Sequence, residues 1–362
     1  MVLTQKKIRK IIEDPEVAAS VAHLEYVSDE QLDISRVGAG KGFYYKKLGS
    51  RITDKENLER IKALVIPPNW ADVRIASNPD AHLQCVGYDE AGRKQYRYHN
   101  KWSQLRNQTK FFKMVAFGNQ LPAIRQQVEK DLRRRKMNRN KCIALVIALM
   151  EDTHIRIGNE SYAKRNKTYG LTTLRKRHLT DLDNELRFDF TGKRGVKHQV
   201  TIDDPRLVKL IHQSEEIRGW ELFHYIDEEG KSQPVDSGMV NDYLHEVAGD
   251  LFTAKDFRTW AASKVFFQTL YDLGLAQDEK QVEKNLLTAY DATAAALGNT
   301  RAVCRQYYVH PMIADAYEDG SIVKYFDVLE QQDQDLLHMS ETELALQEML
   351  SSFELELADE PA

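Results

Sequence analysis

The chain has 362 residues, 42% of them hydrophobic, which suits two domains with cores of their own. Its longest uninterrupted apolar run, Cys142 to Met150, falls far short of the ~20 residues of a membrane helix. The basic start MVLTQKKIRK has no apolar stretch behind it, so neither a membrane span nor a secretory signal is expected. Three widely spaced cysteines (Cys85, Cys142, Cys304) exclude a disulfide framework and a zinc cluster and suit a reducing cytoplasm.

The net charge of −4 conceals a strong asymmetry. No Lys or Arg follows Lys324, and residues 325–362 carry 11 acidic residues, so residues 1–324 have a net charge of +7. Residues 91–141 hold 15 Lys/Arg against Glu129 and Asp131, a net of +13. A local field of that size attracts polyanions, which makes nucleic acid an expected partner.

In chain order, residues 1–32 read as a short helical extension with a boundary at Asp14-Pro15. Residues 33–100 read as a β-rich domain, with strand-like runs at Gly42–Tyr45, Val73–Ile75 and Leu83–Val86 and one helix near Asn57–Leu64. Residues 101–325 read as mostly helical. Apolar spacing predicts a helix over Gln104–Phe117, a second from Pro122 to Lys136 and a buried third from Asn138 to Met150. Alternation in Leu186/Phe188/Phe190 and Val196/His198/Val200/Ile202 predicts a hairpin whose tip, Thr191–Gly195, is cationic. Helices are expected again at Pro205–Ile217, Gly238–Ala248, Ala254–Leu273 and Glu279–Leu297, then from Thr300 towards Pro311. The acidic tail, 326–362, has helical spacing (Leu344, Met349, Phe353) and reads as a solvated helix outside both domains.

Five segments have the composition of a phosphate-handling site. Gly92–Trp102 interleaves Arg93, Lys94, Arg97 and Lys101 with Gln95, Tyr96 and Tyr98, a pattern that fits phosphate and base-edge contacts or an exposed edge strand. Arg156 follows an apolar helix, from which a guanidinium can clamp a phosphate or pair with Glu160 or Asp152. Lys193 stands at the hairpin tip, as a solvated cation or as a proton donor to a leaving alkoxide. Lys255 and Arg258 fall in the first turns of a helix capped by Thr253, the end where acidic residues are favoured; an external anion or Asp256 would relieve that conflict. Tyr307-Tyr308 offers either packing residues or a phenol nucleophile, which ionises at neutral pH only if cations lower its pKa from ~10. No carboxylate cluster suggests a metal pair. Gly38–Gly42 lacks GxxxxGK[ST] spacing and reads as a turn, so ATP is not indicated.

Taken in order, IPPNWADVRI (66–75), GRKQYRYH (92–99), IRIGNESY (155–162), TYGLTTLRKRH (168–178), TGKRGVKH (191–198), TAKDFRTW (253–260) and LGNTRAVCRQYYVHP (297–311) resemble the type IB DNA topoisomerases of the compact bacterial and poxvirus kind. The resemblance covers roughly residues 33–325. It implies an α+β protein: a β-rich N-terminal domain and a mostly helical catalytic domain of the tyrosine recombinase/type IB topoisomerase kind with a small β-hairpin, closing as a monomeric clamp around duplex DNA. It implies a nucleoid-associated cytoplasmic enzyme that needs neither ATP nor metal and relaxes supercoils of both signs through a 3′-phosphotyrosyl intermediate.

Residue by residue, the resemblance implies that Tyr308 is the nucleophile and Tyr307 its packing neighbour. Arg156 and Arg258 would hold the nonbridging phosphate oxygens, and Lys193 would protonate the departing 5′-oxygen. Asn299 stands where the poxvirus and eukaryotic pattern has histidine, which matches the bacterial branch and leaves a neutral amide donor. Arg93, Gln95, Tyr96, Tyr98, Tyr162 and Lys255 would contact DNA. The rival readings are a tyrosine recombinase, which usually carries His at the Lys255 position and a helical N-terminal domain, and a non-enzymatic DNA-binding protein, which would have lost Arg156, Lys193, Arg258 or Tyr308.

Overall fold

The computed structural model describes residues 10–40, 42–331 and 338–352. The start of the expected N-terminal helix, Lys41 of the glycine-rich turn, and residues 332–337 and 353–362 of the acidic tail, Phe353 included, lie outside the described residues. The chain divides into two compact units, which meet in sequence between Lys113 and Met114.

In the first unit, helix α1 (Pro15–Val21) starts where Asp14 Oδ1 accepts from the Glu16 and Val17 amides at 2.9 and 3.2 Å, with Pro15 in the first turn. Six antiparallel strands follow: β1 (Ile34–Ala39), β2 (Gly42–Lys47), β3 (Ser50–Arg51), β4 (Ala71–Ile75), β5 (Leu83–Tyr88) and β6 (Lys94–Tyr98), in the spatial order β3-β2-β1-β4-β5-β6. Helix α2 (Lys55–Ala63) packs Ile61 with Ile34, Val73, Ile75 and Cys85. Gly40, at φ +57°, lies in the short link between β1 and β2. The basic, aromatic strand β6 is an edge, with one side of its ladder unpaired.

The second unit is built around α4 (Arg139–Thr153), which is buried from Lys141 to Ile147 and again at Leu149 and Met150 and is followed by the short α5 (Glu160–Asn166). Around it stand α6 (Pro205–Glu215), α7 (Ser237–Ala248) and α8 (Ala254–Leu273), with α9 (Glu279–Leu297) packed on α8. The expected hairpin is present as β8 (Leu186–Thr191) and β9 (Lys197–Ile202), and Leu186, Phe188 and Phe190 point inward as their alternation requires. The sheet gains a third strand, β7 (Leu179–Asp181), and a second hairpin joins β10 (His224–Ile226) to β11 (Ser232–Pro234). These three-residue strands are too short to show a period in sequence.

Three expectations need correction. The two helices expected on either side of Pro122 are one helix, α3 (Asn100–Leu132). Proline removes one backbone donor, but Phe117, Leu121, Ile124 and Val128 continue a single buried stripe across it, so packing outweighs the lost hydrogen bond. The helix expected from Thr300 towards Pro311 is present as α10 (Arg301–Tyr307) but stops short at Tyr308, and a further helix, α11 (Pro311–Glu318), starts at Pro311.

The acidic tail also differs from its expected solvated state. Its apolar residues continue the core of the second unit: α12 (Val323–Gln331) packs on α13 (Glu341–Ser351), whose Ala345, Leu346, Met349 and Leu350 are buried. Glu343 on α13 accepts a two-pronged bond from Arg125 of α3 at 2.7 and 2.8 Å and another from Trp260 Nε1 at 3.0 Å, while Lys264 Nζ stands 3.6 Å away. Arg125 also reaches Glu151 at 3.0 Å. Gly118 of α3 has no Cβ because one would lie 2.6 Å from the Trp260 ring.

Burial alone would raise the Glu343 carboxyl, but Arg125 outweighs it and brings the pKa down to about 2. Because the folded value lies below the ordinary 4.5, this carboxylate stabilises the fold above that pH and loses its contribution as pH falls towards about 2. Glu343→Gln should lower unfolding stability at pH 7 by about 3 kcal/mol, since it breaks a buried pair. Denaturant titrations should show the gap to wild type narrowing through that acid window; a constant gap would show that the charge is not what stabilises the tail.

Candidate active site

Arg258 lies in the second turn of α8 and is buried. Its Nη1 donates to the carbonyl of His154 and its Nη2 to that of Leu297 at 2.8 Å. His154 and Leu297 sit at the C-terminal ends of α4 and α9, where helices leave carbonyls unsatisfied and the dipole favours a cation. His154 adopts φ +55°, which turns the chain out of α4. Arg258 Nε is buried, with no hydrogen-bond partner among the described residues. Desolvation, then repulsion by Arg156, pushes the Arg258 pKa down to about 10, so the group remains a cation at neutral pH.

Arg156 follows two residues after His154, in a segment pinned by tight backbone contacts. Its carbonyl accepts from the Leu171 amide at 2.9 Å, and Ile157 O accepts from the Thr172 amide at 2.7 Å. Gly170 permits this approach, since a Cβ there would lie 2.4 Å from Arg156 O, and Gly158 supplies φ +103°. Neither intramolecular ion pair considered for Arg156 forms: Glu160 pairs with Lys164, and Arg156 Nη2 donates to Asn299 Oδ1 at 2.6 Å.

Asn299 occupies the tight link between α9 and α10. Gly298 ends α9 in the left-handed region at φ +58°, the Asn299 amide returns to Ala294 O at 2.9 Å, and the Thr300 hydroxyl caps α10 through the Val303 amide at 3.4 Å. Asn299 Nδ2 is buried beside the Cys304 thiol, with no conventional partner.

Helix α10 delivers Tyr308. The Val-His-Pro sequence that follows has a physical role: Val309 is fully buried, the His310 amide donates to Ser263 Oγ of α8 at 3.0 Å, and His310 caps α11 with Pro311 in its first turn. The nucleophile candidate is therefore held on the helix that carries Arg258, whose Cζ lies 5.6 Å from the Tyr308 ring centroid. Burial would raise the Tyr308 pKa; the guanidinium groups of Arg258 and Arg156 outweigh it, and the net shift is downward. The assignment of Tyr307 to packing needs correction, because Tyr307 is 47% exposed and Tyr308 is the half-buried member of the pair. Facing outward on α10 directs Tyr307 away from the core against which Tyr308 packs.

Lys193 lies at the hairpin tip, exposed as expected. Partial desolvation, then repulsion by Arg156, lowers its pKa. With Arg156, Arg258, His154, His198 and the Gly298 turn it borders a cavity of ≈ 200 Å³ whose described lining includes four cations, Lys197 being the fourth, and no carboxylate. Tyr308 and Asn299 are not wall residues; they meet this cationic space through the two arginines. The cavity thus gathers positive charge that nothing in its lining neutralises, a setting made for a phosphodiester.

The expected DNA contacts divide into two groups. Tyr96 and Tyr98 project from edge strand β6, both more than 40% exposed, with rings 5.9 Å apart and nearly parallel. Tyr162 and Lys255 are also exposed. Arg93 and Gln95 are instead engaged by Asp89 of the β5–β6 turn, at 2.8 and 3.0 Å. The Asp256 carboxylate accepts from the Thr253 amide and hydroxyl, completing a capping box that supports the turn bearing Arg258. His154 and Ser263 escaped the sequence reading, and His198 entered it only as a strand position of the hairpin and the last residue of TGKRGVKH. In a titration followed by ultraviolet absorbance, Tyr308 should ionise below the ordinary ~10 of a phenol. Its midpoint should rise in Arg156→Ala, with Tyr308→Phe as the blank; a midpoint at or above 10 would remove the claimed activation.

Residues 99–335 match the catalytic core of eukaryotic DNA topoisomerase I, and residues 42–89 match the N-terminal domain of bacterial DNA topoisomerase IB. DNA topoisomerase 1B of Acanthamoeba polyphaga mimivirus is 33% identical over 285 residues, spanning 77% of this chain and 84% of that protein. DNA topoisomerase 1B of vaccinia virus (strain Copenhagen) and DNA topoisomerase I of monkeypox virus are each 23% identical over 75% of this chain and 85% of the viral protein. With the catalytic-core match covering well over half its length, the chain belongs to the type IB DNA topoisomerase family.

Proposed function

We propose that the enzyme cleaves one strand of duplex DNA by attack of Tyr308 Oη on the scissile phosphorus. The oxygen of Tyr308, ionised beside the two guanidinium groups so that its proton has already gone to solvent, forms the new P–O bond, the P–O5′ bond breaks, and the Lys193 ammonium gives its proton to the departing 5′-oxygen. The products are a 3′-phosphotyrosine and a 5′-hydroxyl. Arg156 and Arg258 stabilise the charge that develops on the nonbridging oxygens, with Asn299 as an amide donor beside them. The covalent bond conserves the energy of the phosphodiester, so resealing is the reverse reaction and requires neither ATP nor metal. Between the two steps the 5′ end swivels and supercoils of both signs relax.

The observation that carries this reading is geometric: the half-buried Tyr308 ring stands 5.6 Å from Arg258 Cζ, and Arg258, Arg156 and Lys193 border one cationic cavity, with Arg156 bonded to Asn299. We infer further that the protein acts as a monomer that closes around the duplex, with Tyr96, Tyr98, Tyr162 and Lys255 on DNA-facing surfaces. Asn299 in place of histidine and the match of residues 42–89 support the bacterial branch. Buried free thiols at Cys85, Cys142 and Cys304 fit a reducing compartment such as the cytoplasm.

In EDTA without nucleotide, the purified protein should relax positively and negatively supercoiled plasmid. Tyr308→Phe should abolish the SDS-trapped adduct while retaining DNA binding, and an adduct of normal yield would refute the nucleophile. Lys193→Ala should cleave an ordinary 5′-oxygen slowly and recover on a 5′-thio leaving group, which needs no proton. Without that recovery, Lys193 is not the acid.

A further inference from the structure

Two glycines flank the side chains assigned to the proposed chemistry: Gly192 precedes Lys193, and Gly298 precedes Asn299. Both lack a Cβ for the same reason. A Cβ on Gly192 would lie 2.6 Å from Cδ2 and Nε2 of His198, and one on Gly298 would lie 2.3 Å from Cε1 and 3.0 Å from Nδ1 of that ring. One imidazole therefore fills the side-chain space of two turns, touching the hairpin tip with one edge and the end of α9 with the other. Its orientation is set from a third direction. Phe190, directly opposite His198 in the β8–β9 register, stacks on it with ring centroids 4.9 Å apart and planes 11° apart.

The ring also lines the cavity with Arg156, Lys193 and Arg258. Among the described residues no protein group hydrogen-bonds to its nitrogens, so packing alone accounts for its position. Burial, then the charges of Arg156 and Arg258, lowers its pKa, so it packs beside those cations without adding a third charge.

We propose that His198 is a positioning residue: it is the spacer that sets the distance between the hairpin carrying Lys193 and the turn carrying Asn299, and so sets the reach of the Lys193 amine to the leaving oxygen. This rests on the assignment of Lys193 as the acid. It goes beyond that assignment by naming what aims a cation at the tip of an otherwise exposed hairpin.

The test compares His198→Ala, which removes the spacer, with His198→Phe, which keeps a flat ring and removes its nitrogens. The first readout is single-turnover cleavage of duplexes with 5′-oxygen or 5′-thio leaving groups. His198→Ala should slow the oxygen substrate on the order of a hundredfold, as a misplaced catalytic group does, with most of the loss recovered on sulfur. His198→Phe should stay close to wild type on both. Equal slowing of His198→Ala on both substrates, or no slowing, would overturn the proposal. So would a His198→Phe as slow as His198→Ala, since the nitrogens would then be the active part.

The second readout does not depend on the acid assignment. Spin labels at cysteines introduced for the exposed Arg194 and Ala302 report the distance between hairpin and turn, since the three native thiols are buried. That distance should change and broaden in His198→Ala and be restored in His198→Phe. An unchanged distance in His198→Ala removes the spacer role. A changed distance without sulfur recovery in Lys193→Ala would show that the spacer is real and that the acid is a different group.

Discussion

A buried guanidinium held by the carbonyl ends of two helices is the interaction around which the catalytic unit is organised. A charge removed from water is expensive unless it is hydrogen-bonded, and Arg258 meets that cost with His154 O and Leu297 O. Carbonyls accept from two of its nitrogens without cancelling its charge, as a carboxylate would. The cation is rigid yet still electrostatically available. It also ties α4, α8 and α9 together at one point, so Arg156 just beyond α4, Asn299 just beyond α9 and Tyr308 anchored to α8 through Ser263 converge as a consequence of the packing.

The same arrangement explains why so many reactive side chains stand beside turns. Gly158, Gly170, Gly192 and Gly298 each allow an approach or a dihedral that a Cβ would prevent, and each lies within two residues of, or directly against, a segment bearing a site residue. A helix or strand supplies rigidity, and the short turn at its end brings the side chain into the cavity at a fixed angle. In the proposed chemistry, preorganisation of this kind favours a pentavalent phosphate, because no reorganisation is needed when the charge develops.

The acidic C-terminal segment belongs to this economy in an indirect way. Its excess of carboxylates suggests a solvated tail, yet Glu343 is consumed inside the core by Arg125, Trp260 and Lys264. Trp260 and Lys264 follow Arg258 along α8, so the last described helix braces the element that carries the buried arginine. The strongly basic stretch 91–141 likewise divides on folding: Arg125 is spent internally, while β6 keeps its exposed tyrosines at a sheet edge.

From the sequence alone, local periodicity and end signals determined most elements. The bounds of α8 and α9, the β8–β9 hairpin and the turn at Gly40 all follow from apolar spacing, caps and glycine. The ordered motifs nominated Tyr308, Arg156, Lys193, Arg258 and Asn299, and the structure brings these together around one cationic cavity. Tertiary packing alone decided what local rules could not see. It carried α3 through Pro122 by a continuous buried stripe, drew the acidic tail into the core by one buried ion pair, and turned Tyr308 rather than Tyr307 inward. It also seated His198 between two glycines 106 residues apart in the chain. The physical reason is common to all four: each depends on which groups lose their water together, and that is a property of contacts between distant segments that no local window contains.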